Sequence, residues 1–88
     1  CRFHYEAGAG AVAPTALRML DADENALRLR RQLGPGRSTS STVSAIEDGR
    51  TPELEVSDAA AWLELRTRTH VLRRVPVQLN RNQPNVLR

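Results

Sequence analysis

Asp21-Ala22-Asp23-Glu24-Asn25-Ala26-Leu27-Arg28-Leu29-Arg30-Arg31-Gln32-Leu33-Gly34-Pro35 is the stretch whose reading decides the fold class. Asp21 stands three residues before Glu24, the spacing of a capping box, in which each side chain satisfies a free backbone N–H of a first helical turn. Ala26, Leu29 and Leu33 fall on one helical face, with Arg28, Arg31 and Gln32 largely outside it. Gly34 followed by Pro35 stops a helix, the glycine as the left-handed residue past the end and the proline because it cannot continue. The pattern predicts a helix over 22–33.

Outward from this stretch the periodicity changes. Upstream, Ala16-Leu17-Arg18-Met19-Leu20 reads as a short strand with Leu17 and Met19 on one face. Residues 7–14, Ala-Gly-Ala-Gly-Ala-Val-Ala-Pro, are small and read as a tether or loop, so that 1–14 is expected to be an N-terminal tether. Downstream, 35–42 is a loop by composition, 42–46 is open between a short strand and a helical turn, and Glu47–Pro52 is turn chemistry. Residues 58–61 suit one helical turn capped by Ser57 or Asp58. From Trp62, the residues Leu63, Leu65, Thr67, Thr69 and Val71 alternate with Glu64, Arg66, Arg68 and His70, which predicts a strand over 62–72 with one buried and one basic face. Arg73 breaks the alternation and places a bulge near Arg73-Arg74, while Pro76 marks an edge because it has no N–H to donate. The expected fold is therefore α+β, one amphipathic helix packed on a small antiparallel sheet. It forms a single domain over 15–79 with a polar basic tail at 80–88.

Composition bounds the function. Eighty-eight residues allow one small domain. Eleven of the hydrophobic residues are Ala, and only Phe3, Tyr5 and Trp62 are aromatic, so the core is thin and docking onto a partner is expected. One Cys excludes an internal disulfide and a thiolate zinc site. No apolar run approaches the ~20 residues that span a bilayer as a helix. The 13 basic residues are all Arg. Residues 1–64 hold seven Arg against ten acids, whereas 65–88 hold six Arg and no acid. That segregation points to an anionic partner such as lipid phosphate, lipopolysaccharide or nucleic acid, with a merely solvated face as the plain alternative. The candidate anion-contact residues are Arg66, Arg68, His70, Arg73 and Arg74. His4 and His70 lie in no ligand or triad spacing, Asp21, Asp23 and Glu24 are explained by capping, and Gly34-Pro35-Gly36 is too short to cradle phosphate. No catalytic set, metal site or cofactor is expected, and the chain is read as a non-enzyme.

Cys1-Arg2-Phe3-His4 carries a further expectation. Its cysteine is read as the acylated first residue of a processed lipoprotein, with more than one acyl chain needed for firm anchoring. Together with the strand at 16–20, the Leu- and Arg-rich segment 26–33 and the Asp58–Arg66 stretch, it resembles the LptE-type outer-membrane lipopolysaccharide-assembly lipoprotein family. The resemblance implies a lipidated Cys1 and a position on the periplasmic side of an outer membrane. It also implies a non-catalytic scaffold role beside a transport barrel, with lipopolysaccharide as ligand. Separately, Ser41–Pro52 resembles the end of a recognition helix and the following loop in the Cro/repressor helix-turn-helix family. That resemblance implies an all-α fold, DNA as partner and a regulator's role. A small structural subunit of a larger secretion or virion assembly is the third reading of the same residues.

Overall fold

The computed structural model describes residues 1–8 and 13–88, and among them there is no helix. Nine strands form two sheets: β1 (Arg2–Tyr5), β2 (Ala16–Leu20), β3 (Leu29–Gly34), β4 (Arg37–Ser41), β5 (Ser44–Ala45), β6 (Leu54–Glu55), β7 (Trp62–Arg66), β8 (Val71–Pro76) and β9 (Asn85–Leu87). The first sheet has the order β4-β3-β6-β1-β9 and the second β5-β2-β7-β8. All neighbours are antiparallel except β1 and β9, which run parallel. The fold is all-β, which corrects both the α+β expectation and the all-α alternative.

The correction turns on the stretch 21–34. Asp21 does cap backbone donors, its Oδ1 accepting from the Asp23 and Asn25 N–H groups at 2.9 and 2.8 Å. The chain then reverses rather than winding on. Glu24 adopts a left-handed φ of 65° and its N–H donates to the Asp21 carbonyl at 3.0 Å. An Asx-type turn and a helix N-terminus use the same side-chain chemistry, and tertiary pairing chooses between them. A helix of twelve residues is marginal in water without a face to bury. Here the segment buries only Leu29, and Leu27, Leu29 and Leu33 alternate with Arg28, Arg30 and Gln32 as well as they fit a helical stripe. Backbone partners decide the matter. The Leu27 N–H donates to the Met19 carbonyl at 2.8 Å, and β3 pairs with β4 along its length and with β6 at Arg30. The Pro35-Gly36 connection has the chemistry of a type II turn, proline in second place and glycine in third, with Gly36 at φ 67°.

Elsewhere alternation is the better guide. Ala16–Leu20 forms β2 with Leu17 and Met19 buried. The strand expected over 62–72 is two strands, because the alternation runs on through a turn at Thr67–His70. There the Thr67 N–H donates to the His70 carbonyl at 2.8 Å, and Thr67 Oγ1 accepts from the His70 N–H at 3.1 Å. The bulge falls at Leu72, since Leu65 pairs with Arg73 and Arg66 with Val71. Pro76 ends the edge strand β8. Ser57 and Asp58 begin a turn rather than a helical turn. Ser44-Ala45 is a strand, and the recognition helix suggested for 41–52 is replaced by β5 and a tight Asp48-Gly49 reversal with φ values of 52° and 76°.

The ends of the chain are structural. Arg2–Tyr5, within the segment read as a tether, lies inside the first sheet between β6 and β9. Residues 9–12 of that segment lie outside the described residues. Asn85–Leu87, within the segment read as a tail, is β9. The two sheets face each other across Phe3, Tyr5, Leu29, Leu54 and Val56 on one side and Leu17, Met19, Leu63 and Leu65 on the other, with Ile46 completing the core.

Candidate functional site

The outer face of the second sheet carries a buried charge. Register places Arg18 on β2 and Arg74 on β8 directly across from Glu64 on β7. Arg66, two residues along the same strand, shares that face. Glu64 is fully buried, and its carboxylate accepts from Arg18 Nε at 2.7 Å, Arg66 at 2.9 Å and Arg74 at 3.3 Å. The Arg18 hydrogen bond is the main cause that holds the Glu64 carboxyl down from its ordinary 4.5 to about 2, against the opposing effect of burial, with Arg66 and Arg74 adding to it. Arg74 also bonds Glu24, which raises its own pKa further. Of the five residues expected to contact an anion, Arg66 and Arg74 are thus engaged with protein carboxylates. Arg68 and His70 lie at the turn of the β7–β8 hairpin, and Arg73 stands on β8 opposite Leu65. Arg68 and Arg73 are exposed, with no carboxylate within 4 Å among the described residues. The His70 ring shares a 2.7 Å hydrogen bond with the Thr69 hydroxyl.

Cys1, expected to carry lipid, is held in the sheet. Its nitrogen donates to the Val56 carbonyl at 2.7 Å, the Val56 N–H returns a bond to the Cys1 carbonyl at 2.9 Å, and the side chain packs against the core. Among the described residues, no three His, Cys, Asp or Glu side chains gather where a metal could sit.

A different basic surface stands out. β3 and β4 form a hairpin whose contact with the rest of its sheet is at Arg30, opposite Glu55. Every residue of β4 is exposed, and on β3 Leu29 alone is buried. Past Arg30 the hairpin is a two-stranded arm. Consecutive strand residues face opposite ways: Arg30 bonds Glu55 on the outer face at 3.0 Å, while Arg31 lines a cleft of about 200 Å³ with Ser44, Ala45, Glu47, Arg50 and Pro52. Arg37 stands beside the tip, paired in register with Gly34. Arg28, Arg31 and Arg37 have no carboxylate within 4 Å among the described residues, unlike Arg18, Arg30, Arg50, Arg66, Arg74, Arg81 and Arg88. The arm was not singled out from the sequence, although a signal is present. Residues 25–46 hold four Arg and no acid, a balance hidden when charge is summed over 1–64.

No family model, characterised protein or solved structure matches the chain.

Proposed function

We propose that the protein is a non-enzymatic scaffold or assembly subunit that docks onto a larger partner through the β3–β4 arm. The carrying observation is the arm itself, a two-stranded element exposed on both faces beyond Leu29. Such a hairpin is marginal in water by itself and gains stability when a partner covers it. The thin core supports the same reading, since a sandwich with few large side chains has little stability in reserve. The buried acid supports a non-catalytic role, because three guanidiniums hold Glu64 ionised and coordinated, and so unsuited to accept or release protons near neutral pH. The reading keeps the assembly role from the sequence. The acylation expected at Cys1 is a separate proposal on which this reading does not depend.

The test is the native size of the protein in its source cells. Expressed at native level, the chain is expected to run far above its 9.8 kDa mass. An Arg31→Glu, Arg37→Glu variant is expected to return to the monomer position while keeping the same thermal transition. A wild-type chain that runs as a free monomer removes the reading.

A further inference from the structure

We propose that the surface the arm docks onto is double-stranded DNA, with the β3–β4 arm lying in the major groove and Arg28, Arg31 and Arg37 bonding phosphates of its walls. The inference rests on the docking role of the arm and names the chemistry of its partner. Charge comes first. The 22 residues from Asn25 to Ile46 carry four arginines and no acid, and Glu55 engages Arg30 alone. Among the described residues, Arg28 before the base of the hairpin, Arg31 along it and Arg37 at its tip keep their donors free of carboxylates, Glu47 sharing the Arg31 cleft without bonding it, and a guanidinium fork matches two phosphate oxygens at once.

The partner strand adds hydroxyls. β4 and the residue after it read Arg37-Ser38-Thr39-Ser40-Ser41-Thr42. Serine and threonine hydroxyls, like arginine, are among the side chains that bond the DNA backbone. Apolar content is low. Leu33 is the arm's large exposed apolar side chain, and no aromatic residue lies between Tyr5 and Trp62. Binding hot spots between proteins are enriched in Trp, Tyr and Arg and poor in Leu, so an arm with one exposed leucine and no aromatic lacks the usual anchor.

Shape separates DNA from a lipid surface. Leu27 and Leu29 turn inward to the core, so Arg28 between them faces outward, whereas Arg31 lines the inner cleft and Arg37 stands at the tip. A flat anionic membrane would be met by guanidiniums gathered on one face. An element lying between two phosphate walls needs them on both. The major groove of B-form DNA, about 12 Å wide, admits a two-stranded β-ribbon, whereas the major groove of duplex RNA is deep and too narrow for side chains to read.

Fluorescence anisotropy with a 20-base-pair DNA duplex tests this on the full chain. With three phosphate contacts, affinity should fall about 40-fold between 50 and 200 mM monovalent salt. A triple variant, Arg28→Ser, Arg31→Ser, Arg37→Ser, should lose measurable binding at 50 mM salt. These positions are exposed, so its circular dichroism melt should match wild type. A charge-matched control, Arg2→Ser, Arg68→Ser, Arg73→Ser, removes three other exposed arginines and should retain the salt-dependent binding. No binding at 50 mM salt overturns the proposal, as does equal loss in both triple variants. Equal affinity for duplex RNA overturns the groove placement, and arm-dependent binding to phosphatidylglycerol vesicles in place of DNA overturns the choice of partner. If DNA binding fails while the Arg31→Glu, Arg37→Glu variant still leaves its native complex, the docking reading stands and only its DNA partner falls. If DNA binding holds but that native complex ignores the arm, the docking reading falls instead.

Discussion

Glu64 carries one negative charge in a fully buried position, and its stability rests on donors from three different positions. Arg18 and Arg74 reach it from the two neighbouring strands and Arg66 from its own. Removing the charge leaves three guanidiniums facing each other, and breaking a buried pair in this way costs about 3–5 kcal/mol. Glu64→Gln keeps the shape and loses the charge, so it is expected to destabilise strongly at pH 7. The acid dependence has a definite sign. The folded carboxyl, held near 2 against an ordinary 4.5, stays ionised where the unfolded one binds a proton. Its contribution is therefore complete above about pH 4.5 and lost as pH falls toward 2, on the order of 3 kcal/mol in all. Urea titrations at pH 7 and pH 3 check both points. The stability gap between the two pH values should shrink in Glu64→Gln, and an unchanged gap contradicts the role assigned here. Nothing about Glu64 by itself signals this. Its alternation with Leu63 and Leu65 placed it on the solvated face, and only the register of β2 and β8 brings the arginines over it.

At the scale of elements, the β3–β4 arm and the β2–β7 pair behave as opposites. β2 and β7 pair over five residues and set Leu17, Met19, Leu63 and Leu65 into the core. The arm past Arg30 is held by its own hairpin bonds and the Pro35-Gly36 turn, with no apolar side chain buried beneath it. Local opening is set by such differences in burial. Amide exchange in Arg31–Ser40 is expected to proceed with little protection, while amides of β2 and β7 exchange only through global unfolding. Protection of the arm equal to that of β7 would contradict its independence from the core. The arm also shows where periodicity misleads. Leu27, Leu29 and Leu33 satisfy a period of two and a period of 3.6 almost equally, and the Asp21 cap serves a turn as readily as a helix. Strands with unambiguous alternation, β2 and the first half of the 62–72 segment, were legible. The turn at Thr67–His70 was not, because threonine and histidine continue the alternation through it.

The whole molecule is closed by contacts between distant parts of the chain. β1 pairs with β9, more than eighty residues away, and with β6, about fifty residues away. Phe3, fully buried on β1, packs into the shared core. Phe3→Ala is expected to cost about 3–5 kcal/mol, a large part of the stability of so small a domain. Deleting residues 1–6 should unfold the chain altogether, as read by loss of a cooperative thermal transition. Survival of that transition would mean the segment is the dispensable tether first read from its neighbours' composition. Topology also sets the speed. Non-local pairing places the loop-closure cost ahead of the stabilising contacts, so folding is expected on the millisecond-to-second scale of all-β domains, measurable by stopped-flow fluorescence of Trp62.

Residue type and spacing alone settled the local matters: that Glu47–Pro52 turns, which faces of β2 and β7 are apolar, that no helix is long and apolar enough to span a membrane, and that the core would be thin. These depend on side chains a few positions apart, which the order of residues states directly. Tertiary structure alone decided that 21–34 is a turn and a strand. It likewise decided that Arg2–Tyr5 belongs to a sheet, that Arg66 and Arg74 serve Glu64, and that Arg31 and Arg37 stand on the β3–β4 arm without a carboxylate partner among the described residues. Each depends on which distant strand supplies a backbone donor or a carboxylate. A sheet, unlike a helix, obtains its hydrogen bonds from elsewhere in the chain, so its register cannot be read from any one segment.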